Sequence, residues 1–249
     1  MMLRACLALT LAVLAVAPLS AAARSPLKML KKIDKANNPF STRVFTMKME
    51  IKEPDGATRT NEMRIGERGH GRQRLINYKG PADVKGMGVL IQERNELYTY
   101  LPSYNRVRRV AMHARKQAFM GSDFTLDDSA QLNFAPDYEP KLLSDEGGKV
   151  ALELTPRPGK ELAYTKLIVT ADTKTWLAEK IEYFDDGKLV KTETRWNPKE
   201  FGGKLMQMRV LMVDERTKHQ TSVEVNDVEV EVSLPKSKFT KRGLIRGDL

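Results

Sequence analysis

From Arg43 onward, apolar and polar residues alternate with a period of two. Met47, Met49 and Ile51 interleave with Lys48, Glu50 and Lys52, and Met63 and Ile65 with Glu62 and Arg64. Strict alternation is the mark of a strand with one buried face. Similar runs recur at Arg74–Tyr78, Val89–Glu93, Leu97–Leu101 and Arg106–Met112. Further along come Val150–Leu154, Tyr164–Thr170, Ile181–Phe184, Val190–Trp196, Lys204–Asp214 and Ser222–Val232. Pro54-Asp55-Gly56, Asp186-Gly187 and Gly202-Gly203 supply hairpin turns. Between Val225 and Val228 the apolar parity slips, which predicts a bulge at Asn226-Asp227. Two stretches break the period. Ser25-Pro26 followed by Leu27, Leu30 and Ile33 reads as a capped short helix ended by Asn37-Asn38-Pro39. Ala114 to Pro140 reads as a loop with short helices. The pattern predicts ten or eleven antiparallel strands in one mainly β domain with a few helices, a sandwich or a barrel.

The start of the chain follows another logic. Arg4, the apolar run Ala5 to Ala17, Pro18 and the small residues Ala21-Ala22-Ala23 read as a cleaved secretory signal peptide over residues 1–23. Residues 24–249 are then one exported domain. No other stretch approaches the ~20 apolar residues of a membrane span. The only cysteine is Cys6, so the exported chain has no disulfide, thiol nucleophile or thiolate metal site. Hydrophobic residues at 41% and charged residues at 30% of 249 fit a folded domain.

Candidate chemistry is sparse. His70, His113 and His219 have no metal-motif spacing and read as exposed turn residues. No serine lies in a nucleophile elbow, and no glycine-rich phosphate loop is present. Asp123, Asp127 and Asp128 lack the oxygen ladder of a calcium loop, so a helix cap by Ser122 or Asp123 is the simpler reading. Neither an enzyme nor a cofactor or metal site is expected. The formal charge is +10, with Arg106, Arg108, Arg109, Arg115 and Lys116 in one stretch. Aromatic residues are not interleaved there as stacking on nucleic acid requires. Anionic lipid headgroups or an acidic partner remain as contacts for these arginines, as does a merely solvated face.

The sheet is expected either to close over a packed core or to curl around a cavity. Met206, Met208, Val210 and Met212 share one parity of a single strand, and Met47, Met49 and Met63 behave alike. Methionine is a poor strand former, but its unbranched side chain adapts to irregular apolar guests. These residues fill an ordinary core or line a pocket. In a pocket, a dozen methylenes at about 0.8 kcal/mol each would contribute roughly 8–10 kcal/mol before ordering costs.

The segment Arg108-Arg109-Val110, followed by Gln117-Ala118-Phe119-Met120-Gly121-Ser122-Asp123-Phe124-Thr125-Leu126-Asp127-Asp128, resembles the central segment of the outer-membrane lipoprotein-sorting proteins. These are distant relatives of the periplasmic carrier LolA. Leu97-Tyr98, Tyr100-Leu101-Pro102, the Trp196 region and Phe239-Thr240-Lys241-Arg242 add to the likeness, which runs over nearly the whole exported chain. The resemblance implies a curved, incomplete (half) β-barrel whose concave apolar face is covered by helices and takes lipid chains. It implies a non-catalytic periplasmic carrier of lipoprotein or other lipid acyl chains, touching membranes peripherally. Phe119, Met120 and Phe124 would lie on the cover. Met47, Met49, Met63, Ile65, Met206, Met208, Val210 and Met212 would line the sheet. Members of this group often accompany inner-membrane transporters of the resistance-nodulation-division (RND) class, which points to such a donor and an outer-membrane acceptor. The alternative is an accessory or sensor module docked on an RND exporter without carrying lipid.

Overall fold

The computed structural model describes residues 25–53, 55–93 and 96–249. The expected signal peptide lies outside the described residues. A first helix, α1 (Pro26–Asn37), leads into β1 (Thr42–Lys52), β2 (Thr58–Arg68), β3 (Gln73–Gly80), β4 (Gly88–Gln92), β5 (Glu96–Leu101) and β6 (Arg106–Arg109). Two short helices follow, α2 (Met112–Arg115) and α3 (Leu126–Ala130). Then come β7 (Tyr138–Glu146), β8 (Lys149–Pro156), β9 (Lys166–Asp172), β10 (Ala178–Asp185), β11 (Lys188–Phe201), β12 (Lys204–Asp214) and β13 (Gln220–Val230), and finally α4 (Lys241–Arg246). Among the described residues no helix is long and apolar enough to cross a membrane.

All thirteen strands form one antiparallel sheet in the order β6-β5-β4-β3-β2-β1-β13-β12-β11-β10-β9-β8-β7. The sheet is open, with β6 and β7 as its edges. Two meanders, β1–β6 and β7–β13, are joined where β1 pairs with β13. The expectation of ten or eleven strands therefore falls short. Each strand except β7 coincides with one of the alternating runs, and β7 contains Pro140. Proline inside an alternating run argues against a strand, yet an edge strand tolerates it because one side of its ladder needs no donor.

Local chemistry explains the turns. Asp186 and Gly187 both have positive φ, 47° and 75°, as do Gly202 and Gly203, the geometry that follows the twist of a two-residue hairpin. The bulge expected at Asn226-Asp227 is present. Val44 pairs with Glu229 and Thr46 with Asn226, leaving two residues of β13 opposite Phe45. In α1, the Ser25 carbonyl accepts from the Lys28 and Met29 amides, whereas its hydroxyl makes no capping bond. The helix is held instead by Met29, Leu30 and Ile33, which pack with Val150, Leu152, Ile181 and their neighbours on β8–β10.

Strand β1 is buried on both sides at its start, over Arg43, Val44 and Phe45, whereas Lys48, Glu50 and Lys52 farther along its outer face are exposed. Phe45, Met49 and Ile51 join an apolar cluster with β2–β4, β12 and β13. Val44 points the other way and packs with Leu75, Leu90, Leu234, Phe239 and Leu244. The C-terminal segment with α4 thus backs this half of the sheet.

Topology also sets the course of residues 110–137. They leave β6 at one edge and enter β7 at the other, so they must run past the intervening strands. Their contacts trace that path. The Phe119 ring meets Tyr78 of β3 edge-on at 6.5 Å, and Arg59 of β2 donates to the Met120 carbonyl at 2.8 Å. The Asp123 amide donates to Thr221 Oγ1 of β13 at 2.9 Å, and Lys191 of β11 donates to the Asp123 carbonyl at 2.7 Å.

Candidate functional site

Between this crossing segment and the sheet lies a cavity of about 190 Å³. Val89 of β4 and Arg195 of β11 both line it. Six strand steps separate β4 from β11. At about 4.8 Å per step these strands would be roughly 29 Å apart in a flat sheet, so the sheet is bent around the space.

The apolar wall is built by registered rows. Met47 of β1 lies opposite Met63 of β2 on one side and Val225 of β13 on the other. Met63 lies opposite Tyr78 of β3. A second row runs from Met49 to Val223, Val210 and Arg195. Of the sequence-predicted residues, Met47, Met49, Met63, Ile65, Met206 and Val210 line the cavity from the strands, and Phe119 and Phe124 from the crossing segment. Met120 and Met208 pack in the same apolar cluster but do not line the cavity. Met212 belongs elsewhere. It is fully buried in the core around α1 and β7–β11, where it faces Glu193 and Thr221 across the ladder. Its place on the predicted wall is therefore corrected to core.

Alternation alone did not reveal the charged part of the wall. Arg43, Arg74, Asp128, Glu193 and Arg195 line the same cavity. Arg43 Nε donates to Glu67 Oε2 at 2.5 Å. Arg74 Nε donates to Glu67 Oε1 at 2.8 Å, and its Nη1 donates to the Ser129 carbonyl. Burial opposes ionisation of Glu67, but the two guanidinium groups outweigh it and hold the carboxyl down at about 2. Across the cavity Arg195 Nε donates to Glu193 Oε1 at 2.6 Å, and the Tyr183 hydroxyl donates to Glu193 Oε2 at 2.5 Å. Burial, helped by the Glu193 carboxylate, pushes the Tyr183 phenol well above its usual value, which keeps it a donor. The signal for these groups was present in parity. Arg43 shares the face of Phe45, Met47 and Met49, and Glu67 that of Met63 and Ile65.

Other predicted residues are placed differently. His219 is not an exposed turn residue; its Nδ1 lies 2.8 Å from Asp123 Oδ1, and Thr221 Oγ1 donates to Asp123 Oδ2. Neither Ser122 nor Asp123 caps a helix. Thr125 does so for α3, in a reciprocal box with Asp128. Arg106, Arg108 and Arg109 are exposed on β6. Arg115 is only 2% exposed, so the expected surface contact is corrected for that residue. His70 and His113 are exposed.

A family model described as that of an uncharacterized protein matches residues 70–246. No curated protein matches the chain. Among solved structures, a domain named for outer membrane lipoprotein sorting from Vibrio parahaemolyticus is 26% identical, with a TM-score of 0.82, covering 89% of this chain and 98% of that one. A LolA superfamily protein from Nitrosomonas europaea is 22% identical, with a TM-score of 0.75, covering 89% of this chain and 100% of that one. A DUF1329 family protein from Desulfovibrio piger is 22% identical at a TM-score of 0.81, with 89% and 100% covered. The chain therefore belongs to this uncharacterized-protein family, and its fold is the LolA-like fold of the outer-membrane lipoprotein-sorting proteins.

Proposed function

We propose that the chain is a non-catalytic periplasmic carrier, a single exported domain over residues 24–249, which holds acyl chains of lipoproteins or other lipids in this cavity. The observation that carries the reading is the methionine-lined wall around an unfilled space of about 190 Å³. An apolar cavity as small as ~150 Å³ binds hydrocarbon guests. Met47, Met49, Met63 and Met206 are unbranched and deformable, which suits chains of differing length and kink. Residues 110–137, with α2 and α3, act as the cover, and Phe119 and Phe124 close the apolar wall from that side. Arg106, Arg108 and Arg109 supply the peripheral contact with anionic headgroups or an acidic partner. The name of the Vibrio parahaemolyticus relative supports the lipoprotein-sorting direction.

Lipid extraction tests the reading. Protein purified from the periplasm should release about one equivalent of acyl lipid by mass spectrometry. Met47→Asp, which places a charge on the cavity wall, should reduce that yield at least tenfold while circular dichroism shows an intact sheet. A folded protein that carries no lipid would favour the non-carrying accessory module instead.

A further inference from the structure

Positive and negative charges do not balance along the cavity wall. Arg195 is answered by Glu193, and the lining Asp128 by Lys191 at 3.3 Å, a residue that itself stands outside the lining. Arg43 and Arg74, by contrast, share the single carboxylate of Glu67. This triplet carries one surplus positive charge in a place where little water reaches it. Arg43 is 7% exposed. Its Nε is taken by Glu67 and its guanidinium stacks 5.5 Å from the Phe45 ring centroid. Among the described residues, its two terminal nitrogens have no hydrogen-bond partner. A guanidinium that lines a cavity with free donors is matched by a planar or tetrahedral oxyanion that accepts two parallel bonds.

The positions beyond Arg43 on the same face of β1 are Phe45, Met47 and Met49, all lining the cavity. At about 3.4 Å per residue they extend roughly 20 Å along the strand, cationic at one end and apolar along the rest. We propose that the cavity takes an amphiphile with an anionic head, a carboxylate or phosphate, seated on Arg43 beside Arg74, its hydrocarbon tail lying against Met47, Met49 and Met63. This rests on the acyl-carrier reading above and narrows it. An acyl anchor joined through amide, ester and thioether links bears no charge and would leave Arg43 unanswered.

The test uses the full exported chain and three probes of one tail length, dodecanoate, dodecyl phosphate and dodecanol, titrated by calorimetry below their aggregation concentrations. At least one anion should bind tenfold or more tighter than dodecanol. Preference for dodecyl phosphate assigns a phospholipid-type head, and preference for dodecanoate a fatty acid. Arg43→Gln should erase the preference and leave dodecanol binding within twofold, whereas Arg43→Lys, which keeps the charge, should retain most of it. Equal affinity of the unaltered protein for all three probes overturns the head-group assignment and leaves the acyl cavity standing. No binding of any probe overturns the acyl cavity as well. If Arg43→Gln fails to fold, the comparison on the unaltered protein still decides whether the cavity prefers an anionic head, and Arg43→Lys tests the seat.

Discussion

Two buried carboxyls act on stability in opposite directions. Asp34 of α1 accepts from the Phe134 and Ala135 amides at 2.8 Å each. Burial raises it from 3.8 to about 6; the two amides work against that rise and Asp137 adds to it. The folded protein therefore binds more protons than the unfolded chain between about pH 4 and 6. Stability declines as pH rises through that window and levels off above it. Glu67 is lowered from 4.5 to about 2, so its contribution is present above 4.5 and is lost as pH falls towards 2. Asp34→Asn should flatten the decline between pH 4 and 6 without altering the loss below 4.5. Urea midpoints measured from pH 2.5 to 7 check this, and an unchanged slope in the variant would assign the decline to other groups. Pairing at this scale was hard to read from sequence. Period two put Arg43 and Glu67 on the apolar face, but only the register of β1 on β2, which sets them directly opposite, shows that they meet. His219 was likewise misread because its partner, Asp123, is distant in sequence and reaches it through the crossing segment.

At the level of elements, strands announced themselves wherever one face is buried and the other wet, and the turns and the β13 bulge followed from residues that favour positive φ. β7 escaped because Pro140 interrupts its run, and only the topology reveals that the strand lies at an edge. The apolar parity of β12 likewise misplaced Met212. Alternation tells which face a side chain shares, not where along a long strand the cavity ends and the core begins. Helix α4 offers a sharp test of packing. A Cβ on Gly243 would lie 2.0 Å from the Lys238 carbonyl oxygen. Glycine to alanine within a helix ordinarily gains up to ~1 kcal/mol. Here the obstacle is backbone, so overpacking of about 1–3 kcal/mol wins. Gly243→Ala should lower Tm by roughly 3–6 °C while probe binding in the cavity stays unchanged. A rise in Tm would show that the C-terminal segment yields easily.

For the whole molecule, Lys and Arg total 42 against 32 Asp and Glu. Arg106, Arg108 and Arg109 stand exposed on the β6 edge, where charge also discourages strand-to-strand association. Attraction to an anionic surface through such groups is screened over about 10 Å at 0.1 M salt and about 3 Å at 1 M. Cosedimentation with phosphatidylglycerol vesicles should fall at least tenfold between 50 mM and 0.5 M NaCl. Arg106→Glu with Arg108→Glu should weaken it at low salt with little change in Tm. Salt-independent binding would mean that apolar insertion, not charge, holds the protein there.

The double burial at the start of β1 has a mechanical consequence. With Leu234, Phe239 and Leu244 wedged behind Val44, that end of the hollow cannot bow outward without disturbing the packing at its back, whereas Lys48 and Glu50, behind Met47 and Met49, face solvent. For the proposed carrier, adaptation to a guest falls there to torsion about the thioether stems of Met47, Met49 and Met63, three rotatable bonds apiece, while the backed end of the vessel keeps its shape.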